Sequence, residues 1–404
     1  MKYVIILGDG MADYPIDELQ GKTPLEYACK PQMDNFARKG IMGLVKTVPL
    51  GMPPGSDVAN ISVMGYDPKK YYTGRSPLEA VSMGVELGGE DVAFRCNLVT
   101  LTDEQRYEEK IMLDYSADEI TTEEARELIL SINEALGTEE FSFYPGVSYR
   151  HLLVWRNGKD MLDLTPPHDI SDKRISDYLP SGKGSDKLLN LMLDSQAILK
   201  EHPINIKRKE RGLRPATSIW LWGQGKKPAF TPFLTEYGLK GAVISAVDLT
   251  KGLGICAGLQ IINVEGATGN INTNFIGKAE AALRALDEGN DFVYVHIEAP
   301  DEAGHRGEIN TKVKAIEAID SKVIEPILRG LEKYDDYKIM VLPDHPTPLS
   351  LKTHTSDAVP FVIYQKSKIG FYKERIYSEN AAINAEKNIP EGHKLMSYFL
   401  FGKE

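Results

Sequence analysis

Short runs of apolar residues that stop abruptly at a carboxylate recur in the first and last parts of the chain. Residues 3–7 (YVIIL), 292–305 (FVYVHIEAPDEAGH) and 339–345 (IMVLPDH) show the pattern most clearly. Strands of a parallel sheet are buried on both faces and read as continuous apolar runs, and ligands of such sheets gather beyond the carboxyl ends of the strands. We predict that these segments supply strands of one sheet, with a site at their carboxyl ends.

Segments with helical spacing of apolar residues alternate with these runs. Residues 27–39, 276–288 and 311–331 have this spacing, and Gly40 follows the first of them as a carboxyl-terminal cap. Alternating strands and helices favour a mostly parallel sheet with helices on both faces. The sequence therefore predicts an α/β fold.

The middle of the chain has a different pattern. Runs such as DVAFRCNLVTL and SYRHLLVW read as short strands, and residues 121–136 and 188–199 read as helices. This block contains none of the candidate metal ligands. We therefore predict an inserted α+β domain at residues 72–217, within a metal-binding core formed by residues 1–71 and 218–404.

Six residues with metal-binding side chains follow the predicted strands: Asp9, Asp301, His305, Asp344, His345 and His354. Asp301 and His305 are four residues apart, so on a helix they share a face and can reach one ion. Mixed oxygen and nitrogen ligands suit Mn²⁺ or Zn²⁺, and the size of the set favours two ions. The structural alternative has Asp344 capping a helix and His345 facing solvent.

A loop rich in proline and glycine (LGMPPGSDVANISVMGYDP) brings Ser56 and Asp57 to the start of a predicted helix at residues 58–64. Either side chain is suited to cap that helix by accepting a backbone hydrogen bond. The functional alternative makes Ser56 a nucleophile, and a serine hydroxyl needs a base or a metal ion to activate it. The candidate metal ligands favour the nucleophile.

The composition is that of a globular protein long enough for two domains, with 404 residues, 42% hydrophobic and 26% charged. The formal net charge of −11 argues against a broad nucleic-acid-binding surface. No apolar run is long enough to span a membrane, and residues 3–7 are too short for a signal-peptide core, which favours a cytoplasmic protein. Three widely spaced cysteines indicate neither a disulfide framework nor a thiolate metal site. Nothing in the sequence indicates an oligomeric state.

The candidate residues occur in motifs with a definite order. The motifs are GDG with Asp9, PPGSDVAN with Ser56, APDEAGH with Asp301 and His305, PDH with Asp344 and His345, and THT with His354. This set resembles the cofactor-independent phosphoglycerate mutases of the archaeal type, which belong to the alkaline phosphatase superfamily. The resemblance runs nearly end to end, since YDPKKYYTGRSPLEA, RCNLVTL and PGVSYRH also fit.

The resemblance implies an isomerase that interconverts 3-phosphoglycerate and 2-phosphoglycerate, in glycolysis and gluconeogenesis, through a phosphoserine intermediate. It implies two divalent ions, with Mn²⁺ expected and Mg²⁺, Co²⁺ or Zn²⁺ as alternatives, and no need for 2,3-bisphosphoglycerate. One ion is then expected on Asp301, His305 and His354. The other is expected on Asp9, Asp344, His345 and the oxygen of Ser56.

The resemblance also implies that the inserted domain closes over a small phosphorylated hydroxy acid and supplies arginines to it. The planar fork of arginine matches phosphate and carboxylate oxygens. The candidate substrate-binding residues are Arg150, Arg214, Arg95, His168, Asp169 and Lys251. Taken singly, each is more simply explained as a surface charge or a structural residue.

Two other functions fit the same residues. Metal ligands set the chemistry and the inserted domain sets the substrate, so a related phosphotransferase or phosphohydrolase, for example one that phosphorylates homoserine or a phosphopentomutase, would share the ligands. A metal-binding regulatory or scaffold protein without turnover is the alternative from another class. It leaves Ser56 without a purpose.

Overall fold

The chain divides into two compact units in a computed structural model that describes residues 1–372 and 374–403. The larger unit contains residues 1–72 and 229–404, and the smaller unit contains residues 73–228. None of the helices in these described ranges is long and apolar enough to cross a membrane.

Strands and helices are numbered in chain order. The strands are β1 (Lys2–Gly8), β2 (Ile41–Val45), β3 (Val92–Leu101), β4 (Met112–Asp114), β5 (Phe141–Val147), β6 (Arg150–Trp155), β7 (Ser218–Lys226), β8 (Gly241–Ile244), β9 (Gln260–Ile262), β10 (Phe292–Ile297), β11 (Tyr337–Leu342), β12 (Val359–Gln365) and β13 (Lys387–Ile389). The α-helices are α1 (Pro24–Tyr27), α2 (Pro31–Lys39), α3 (Ser56–Val63), α4 (Pro68–Tyr71), α5 (Ser76–Ser82), α6 (Thr122–Leu136), α7 (Ser185–Lys200), α8 (Pro203–Glu210), α9 (Phe233–Tyr237), α10 (Asp248–Cys256), α11 (Phe275–Asp287), α12 (Ala299–Arg306), α13 (Ile309–Ile319), α14 (Glu325–Leu331), α15 (Glu379–Ile383) and α16 (Lys394–Phe401). A π-helical turn, Asp320–Ile324, joins α13 to α14.

The larger unit is built on a sheet whose described strands have the order β13-β2-β12-β11-β1-β10-β8-β9. Its strands are parallel to their neighbours except β12, which is antiparallel to both β11 and β2. Helices cover both faces. Val4 and Ile6 face the apolar core that includes residues of α2 and α11, whereas the ring of Tyr3 packs edge-on against Phe399 of α16, 5.8 Å away. The predicted mostly parallel α/β fold is confirmed.

The three strands that position the site are adjacent at the centre of this sheet. β1 lies between β10 and β11, and Leu7 is in register with both His296 and Leu342. All three strands are parallel, so the segments that follow them emerge at the same edge. Continuous apolar sequence is what this position requires, because a central strand is buried on both faces.

The smaller unit is built on an antiparallel sheet. β3 is its central strand, with β6 on one side and β7 on the other, while β5 pairs with β6 and β4 with the end of β3. Thr121 caps α6, since its side chain accepts the backbone N–H of Glu124. Its apolar face joins residues of α7 in the core of this unit. Helices on an antiparallel sheet give the α+β architecture expected of the insert.

The smaller unit ends later than the sequence indicated. The metal-binding core was expected to resume at residue 218, but residues 218–226 form β7, which pairs with residues 92–99 of β3. Trp220 lies in the core of the smaller unit. An apolar run identifies a buried strand but carries no information about which sheet it joins. The chain returns to the larger unit at residue 229.

Candidate active site

All the predicted metal-site residues lie at the edge of the larger sheet where β1, β10 and β11 end, or on α3 beside it. Their side chains form two groups that also contact each other, since ligand atoms of Asp9, Asp301 and His345 lie within 4.8 Å of one another. The outer cluster consists of Asp301, His305 and His354. The inner cluster consists of Asp9, Ser56, Asp344 and His345.

In the outer cluster, three ligand-type atoms face one another. Nε2 of His305 lies 3.2 Å from Oδ2 of Asp301 and 2.9 Å from Nε2 of His354, which is 3.4 Å from Oδ1 of Asp301. Nδ1 of His305 lies 3.0 Å from the carbonyl oxygen of Lys352. Nδ1 of His354 lies 3.2 Å from that of Pro54. A carbonyl oxygen only accepts, so both Nδ1 atoms donate, and a cation or an extra proton is needed between the facing Nε2 atoms.

In the inner cluster, a serine hydroxyl contacts a buried imidazole that lies beside two buried carboxylates. Oγ of Ser56 lies 3.0 Å from Nε2 of His345. That nitrogen is 3.6 Å from Oδ1 of Asp9 and 3.4 Å from Oδ2 of Asp344. Among the described residues, Oδ1 of Asp9 is buried with no hydrogen-bond partner. Such an atom is costly unless something binds it, so it suits a metal ligand.

The structural alternatives for these residues are wrong. Gly55 is the N-cap of α3, and Ser56 is the first helical residue, with its hydroxyl against His345 and not on the backbone. His345 is fully buried and does not face solvent. Asp344 is also buried, and its Oδ1 accepts the backbone N–H groups of Gly10 and His345, at 3.1 and 2.9 Å, within the site.

Thr347 connects the two clusters. Its hydroxyl oxygen lies 2.5 Å from Oδ1 of Asp301 and 3.3 Å from Nδ1 of His345. A carboxylate only accepts, so the hydroxyl donates to Asp301 and accepts from Nδ1–H of His345. The lone pair of His345 is therefore on Nε2, the atom that faces Ser56.

The turn after β1 requires glycine at position 10. Gly10 has φ +62°, and a Cβ there would lie 2.7 Å from the Cα of Asp301 and 2.5 Å from Oγ1 of Thr347. Both the backbone conformation and the space exclude a side chain. The GDG motif thus allows the loop that carries Asp9 to pack directly on α12.

Polar residues that the sequence reasoning did not single out also support the inner cluster: Asn60, Tyr294 and His296. Nδ2 of Asn60 donates to Oδ2 of Asp344 at 2.9 Å and to the carbonyl oxygen of Ser56 at 2.8 Å. The Tyr294 hydroxyl donates to Oδ1 of Asn60 at 2.6 Å. The sequence contains only a weak signal for these residues. Tyr294 and His296 are two positions apart in an apolar strand and so share a face, and Asn60 is one helical turn after Ser56.

The site concentrates negative charge. Burial first, and then the charges of Asp344 and Asp301, raise the pKa of Asp9 well above its usual value. Burial also opposes ionisation of Asp301, but hydrogen bonds from His305 and His354 outweigh it and hold its pKa well below the usual value. The contact with Asp301 raises the pKa of His305 to about 9, against the effect of burial. Three close carboxylates favour bound cations, and an ion would replace the proton shared by the two imidazoles.

Lys312 joins two of the loops that form the site. Its buried ammonium group donates to Oδ2 of Asp13 at 2.7 Å and to the carbonyl oxygens of Ala12 and Thr347 at 3.3 and 2.8 Å. Ala12 belongs to the loop after β1, and Thr347 belongs to the loop after β11. All three protons of the ammonium group are used, so these loops are fixed relative to each other without an ion.

In the smaller unit, Trp222 contacts two of the candidate substrate-binding residues. The guanidinium of Arg95 lies 4.9 Å from the centre of its ring, and the ring of His168 lies 5.4 Å from it. Nε of Arg95 also donates to Oε2 of Glu79 at 3.0 Å. Asp169, beside His168, is exposed. Arg95 therefore has a carboxylate partner within its own unit.

The remaining candidates have different surroundings. Arg150, the first residue of β6, is exposed and lies over the ring of Tyr149, 5.6 Å from its centre. Arg214 lies 3.4 Å from Oδ2 of Asp114. Lys251 is on α10 of the larger unit and faces an aspartate at 4.0 Å. Of these three, only Arg150 has no carboxylate partner within the described part of the chain.

The fold and the side chains at its edge define a class of protein. It is an α/β protein with a serine hydroxyl beside clustered carboxylates and imidazoles, the groups that metal-dependent phosphoryl transfer uses.

Comparison with known proteins gives the family. A sequence profile described as 2,3-bisphosphoglycerate-independent phosphoglycerate mutase matches residues 37–205. The chain is 55% identical over 400 residues to a probable 2,3-bisphosphoglycerate-independent phosphoglycerate mutase of Geobacter sulfurreducens, covering 99% of this chain and 100% of that protein. It is 51% identical over 408 residues to the enzyme of that name from Methanosarcina barkeri, covering 100% of both. The chain belongs to the family of 2,3-bisphosphoglycerate-independent phosphoglycerate mutases.

Solved structures agree with this assignment. A cofactor-independent phosphoglycerate mutase from Thermoplasma acidophilum matches with a TM-score of 0.70 at 27% identity, covering 99% of each chain. A protein from Pyrococcus horikoshii matches with a TM-score of 0.83 at 29% identity, covering 99% of this chain and 96% of that one. The predicted family, and with it the prediction of an isomerase, is confirmed. The roles of individual residues stay predictions.

Proposed function

We propose that the chain interconverts 3-phosphoglycerate and 2-phosphoglycerate, with Ser56 carrying the phosphoryl group between the two hydroxyls. The contact of the Ser56 hydroxyl with His345, at 3.0 Å among buried carboxylates, is the observation that supports this most. Relatives matched over their whole length bear the name of this activity. The phosphoryl group is stored on the serine in this scheme, so 2,3-bisphosphoglycerate is not required.

We propose one divalent ion in each cluster. Their mixed oxygen and nitrogen donors suit Mn²⁺, with Mg²⁺, Co²⁺ or Zn²⁺ as alternatives. Bound ions of this kind neutralise phosphoryl oxygens and lower the pKa of a neighbouring hydroxyl. The facing Nε2 atoms of His305 and His354 support the outer ion. The unpartnered Oδ1 of Asp9, an absence noted for the described residues, supports the inner one.

The chain's own residues orient the nucleophile. Without an ion, Nε2 of His345 accepts a hydrogen bond from the Ser56 hydroxyl, which places the serine oxygen beside the inner cluster. With an ion bound, that lone pair would hold the ion and the Ser56 oxygen would lie beside it as a further ligand. Asn60 holds the carboxylate of Asp344 and the backbone of Ser56 at the same time. Ser56 opens α3, so the exposed N–H groups and the dipole of the first turn favour negative charge beside its oxygen. The bond from the Ser56 oxygen to phosphorus would form as the bond to one substrate oxygen breaks, with the serine proton passing to that oxygen. The other substrate hydroxyl would then take the phosphoryl group and return a proton to Ser56.

We propose Arg150 as the residue that binds the substrate carboxylate. That carboxylate needs a cation other than those that hold the transferred phosphate. Arg95 and Arg214 have carboxylate partners, whereas within the described residues Arg150 has none. His168, Asp169 and Lys251 are secondary candidates.

A direct assay tests the reaction. Purified protein with Mn²⁺ should convert 3-phosphoglycerate to 2-phosphoglycerate without added 2,3-bisphosphoglycerate, as followed by coupling to enolase. Homoserine with a phosphoryl donor is assayed in parallel, and acid-quenched samples are searched for phosphate on Ser56. Phosphorylation of homoserine without mutase activity would replace the proposed substrate, and absence of any turnover would favour a binding protein.

The variant Arg150→Ala tests the substrate-binding proposal. Loss of a bidentate arginine contact should lower mutase kcat/KM by about 10- to 100-fold. Slow hydrolysis of p-nitrophenyl phosphate should persist, because it needs only Ser56 and the ions. Arg106→Ala, which removes an exposed arginine paired with Glu108 in the same unit, is the control. Equal losses of mutase and hydrolase activity would show that Arg150 serves the fold or the shared chemistry.

A further inference from the structure

His296 is a completely buried histidine in β10, beside the inner cluster. Its Nε2 lies 3.0 Å from Oδ2 of Asp9, and its Nδ1 lies 3.2 Å from the hydroxyl of Ser245. The other oxygen of Asp9, Oδ1, is the buried atom that lacks a hydrogen-bond partner among the described residues. One carboxylate thus faces an imidazole through one oxygen and the inner cluster through the other.

The neighbouring hydrogen bonds indicate which nitrogen of His296 carries the proton. The backbone N–H of Val247 donates to Oγ of Ser245 at 3.0 Å. A hydroxyl that accepts this bond still has its own proton to donate, and Nδ1 of His296 is the acceptor beside it. The single proton of a neutral ring is then on Nε2, directed at Asp9. Bound to an ion through Oδ1, the carboxylate of Asp9 would be ionised and could only accept, which matches this arrangement.

We propose that His296 is a positioning residue that holds Asp9 through Oδ2 and thereby presents Oδ1 to the inner ion, with Ser245 fixing the imidazole ring. The inference rests on the proposed two-ion function. Hydrogen bonds from surrounding residues orient the carboxylates that bind metal ions, and their loss weakens metal binding. Without His296, the carboxylate of Asp9 can rotate, and only some of its orientations bind the ion.

A direct role as a metal ligand is the competing role for His296. Ligand atoms of Asp9, His296 and Asp344 all lie within 4.8 Å of one another, as a metal site requires. A ligand needs a lone pair on Nε2, however, whereas the positioning role needs an N–H group there. The Ser245 hydroxyl at Nδ1 favours the N–H group. The two roles therefore require opposite chemistry at one atom.

Mn²⁺ affinity separates these roles. Ion-free protein is titrated with Mn²⁺, with the electron paramagnetic resonance signal of unbound Mn²⁺ as the readout. His296→Ala should weaken one of two bound ions by about 10- to 100-fold and leave the other unchanged. His296→Gln places an amide N–H near the position of Nε2–H and should recover most of the loss. Ser245→Ala keeps the ring and removes one neutral hydrogen bond, so it should weaken the same ion by only about 2- to 10-fold.

His151→Ala is the matched control. It also removes a buried imidazole, but from β6 of the smaller unit, where Nδ1 accepts the N–H of Gly146. Its Mn²⁺ affinities should equal those of the unsubstituted protein, and thermal melting establishes that each variant is folded. Unchanged affinity in His296→Ala would overturn the proposal, and equal losses in His296→Gln and His296→Ala would overturn it in favour of a ligand. Failure of the unsubstituted protein to bind two ions would instead overturn the proposed function, before any variant is compared.

Discussion

The outer and inner clusters are made of the same kinds of side chain but differ in burial. In the outer cluster the side chains of His305 and His354 are 37% and 21% exposed. In the inner cluster those of Asp344 and His345 are completely buried. An ion in the outer cluster would therefore be open to solvent and to an incoming phosphate, whereas an ion in the inner cluster would lie against fully buried ligands, with the half-buried Ser56 beside it.

The two clusters also differ in the hydrogen bonds that hold their side chains in place. The outer histidines donate to backbone carbonyls. In the inner cluster His345 donates to the side chain of Thr347, and Asp344 is held by the side chain of Asn60 as well as by backbone N–H groups. A nucleophile has to be held in one geometry, while a group that admits substrate has to remain accessible. The difference in burial supports the proposal that the inner cluster orients Ser56 and that the outer cluster receives the phosphate.

Removal of both ions should have the largest effect, the complete loss of mutase activity, and should occur in two phases. The ion of the exposed outer cluster should leave first when excess EDTA is added, and the ion of the buried inner cluster should leave later. Metal content after rapid desalting, measured by mass spectrometry at successive times beside activity, follows both phases. Loss of both ions in one phase would contradict the proposed difference in exposure between the two ions. Full activity of ion-free protein would exclude both metal sites.

Ser56→Ala should lower mutase kcat/KM by at least about 10⁴-fold, as expected when a nucleophile is removed. The outer cluster does not include Ser56, so its ion should bind with unchanged affinity. Ser62→Ala is the control, because this serine lies on the same helix and its hydroxyl donates to the carbonyl oxygen of Thr47. Steady-state kinetics of both variants, with Mn²⁺ titrations, make the measurement. Substantial turnover by Ser56→Ala would show that the serine is not the phosphoryl carrier.

The features that the sequence predicted correctly depend on local pattern. Apolar runs ending in Asp9 and Asp344 identified central strands, because burial on both faces is visible in a few consecutive residues. The spacing of Asp301 and His305 predicted a shared helical face, and their side chains are 3.2 Å apart on α12. Motif order then identified the family.

The features that the sequence did not predict depend on contacts between distant segments. β7 has the pattern of a buried strand, and only its pairing with β3 places it in the smaller unit. His296 and Asp9 are 287 positions apart in the chain, so their hydrogen bond has no local signature. Thr347 is an ordinary threonine in the sequence, and only the folded chain brings it between His345 and Asp301.

Replacing one histidine from each cluster shows how strongly mutase activity depends on that cluster. His345→Ala should lower kcat/KM by more than about 100-fold, above the usual range for supporting residues, because it removes a ligand of the inner ion that lies directly beside the Ser56 hydroxyl. His305→Ala should cost about 10- to 100-fold, and excess Mn²⁺ should restore part of it, because water can replace an exposed ligand. Kinetics across a range of Mn²⁺ concentrations measure both effects. Equal losses with equal recovery would remove the distinction between the clusters.

Thr347→Val should have the smallest effect and tests whether the clusters act together. Valine resembles threonine in shape but lacks the hydroxyl, so Nδ1 of His345 loses its acceptor and Asp301 loses a donor. Each ion should bind about 2- to 10-fold more weakly, because the substitution removes one hydrogen bond to a ligand of each ion and no ligand itself. Calorimetric titration with Mn²⁺ should also show a weaker influence of the first ion on the second, because the hydrogen-bonded link between the clusters is gone. Thr250→Val is the control, since this buried threonine lies in α10 and its hydroxyl has no partner in the described ranges. If the two ions influence each other as strongly in Thr347→Val as in the unsubstituted protein, the clusters are not coupled through Thr347.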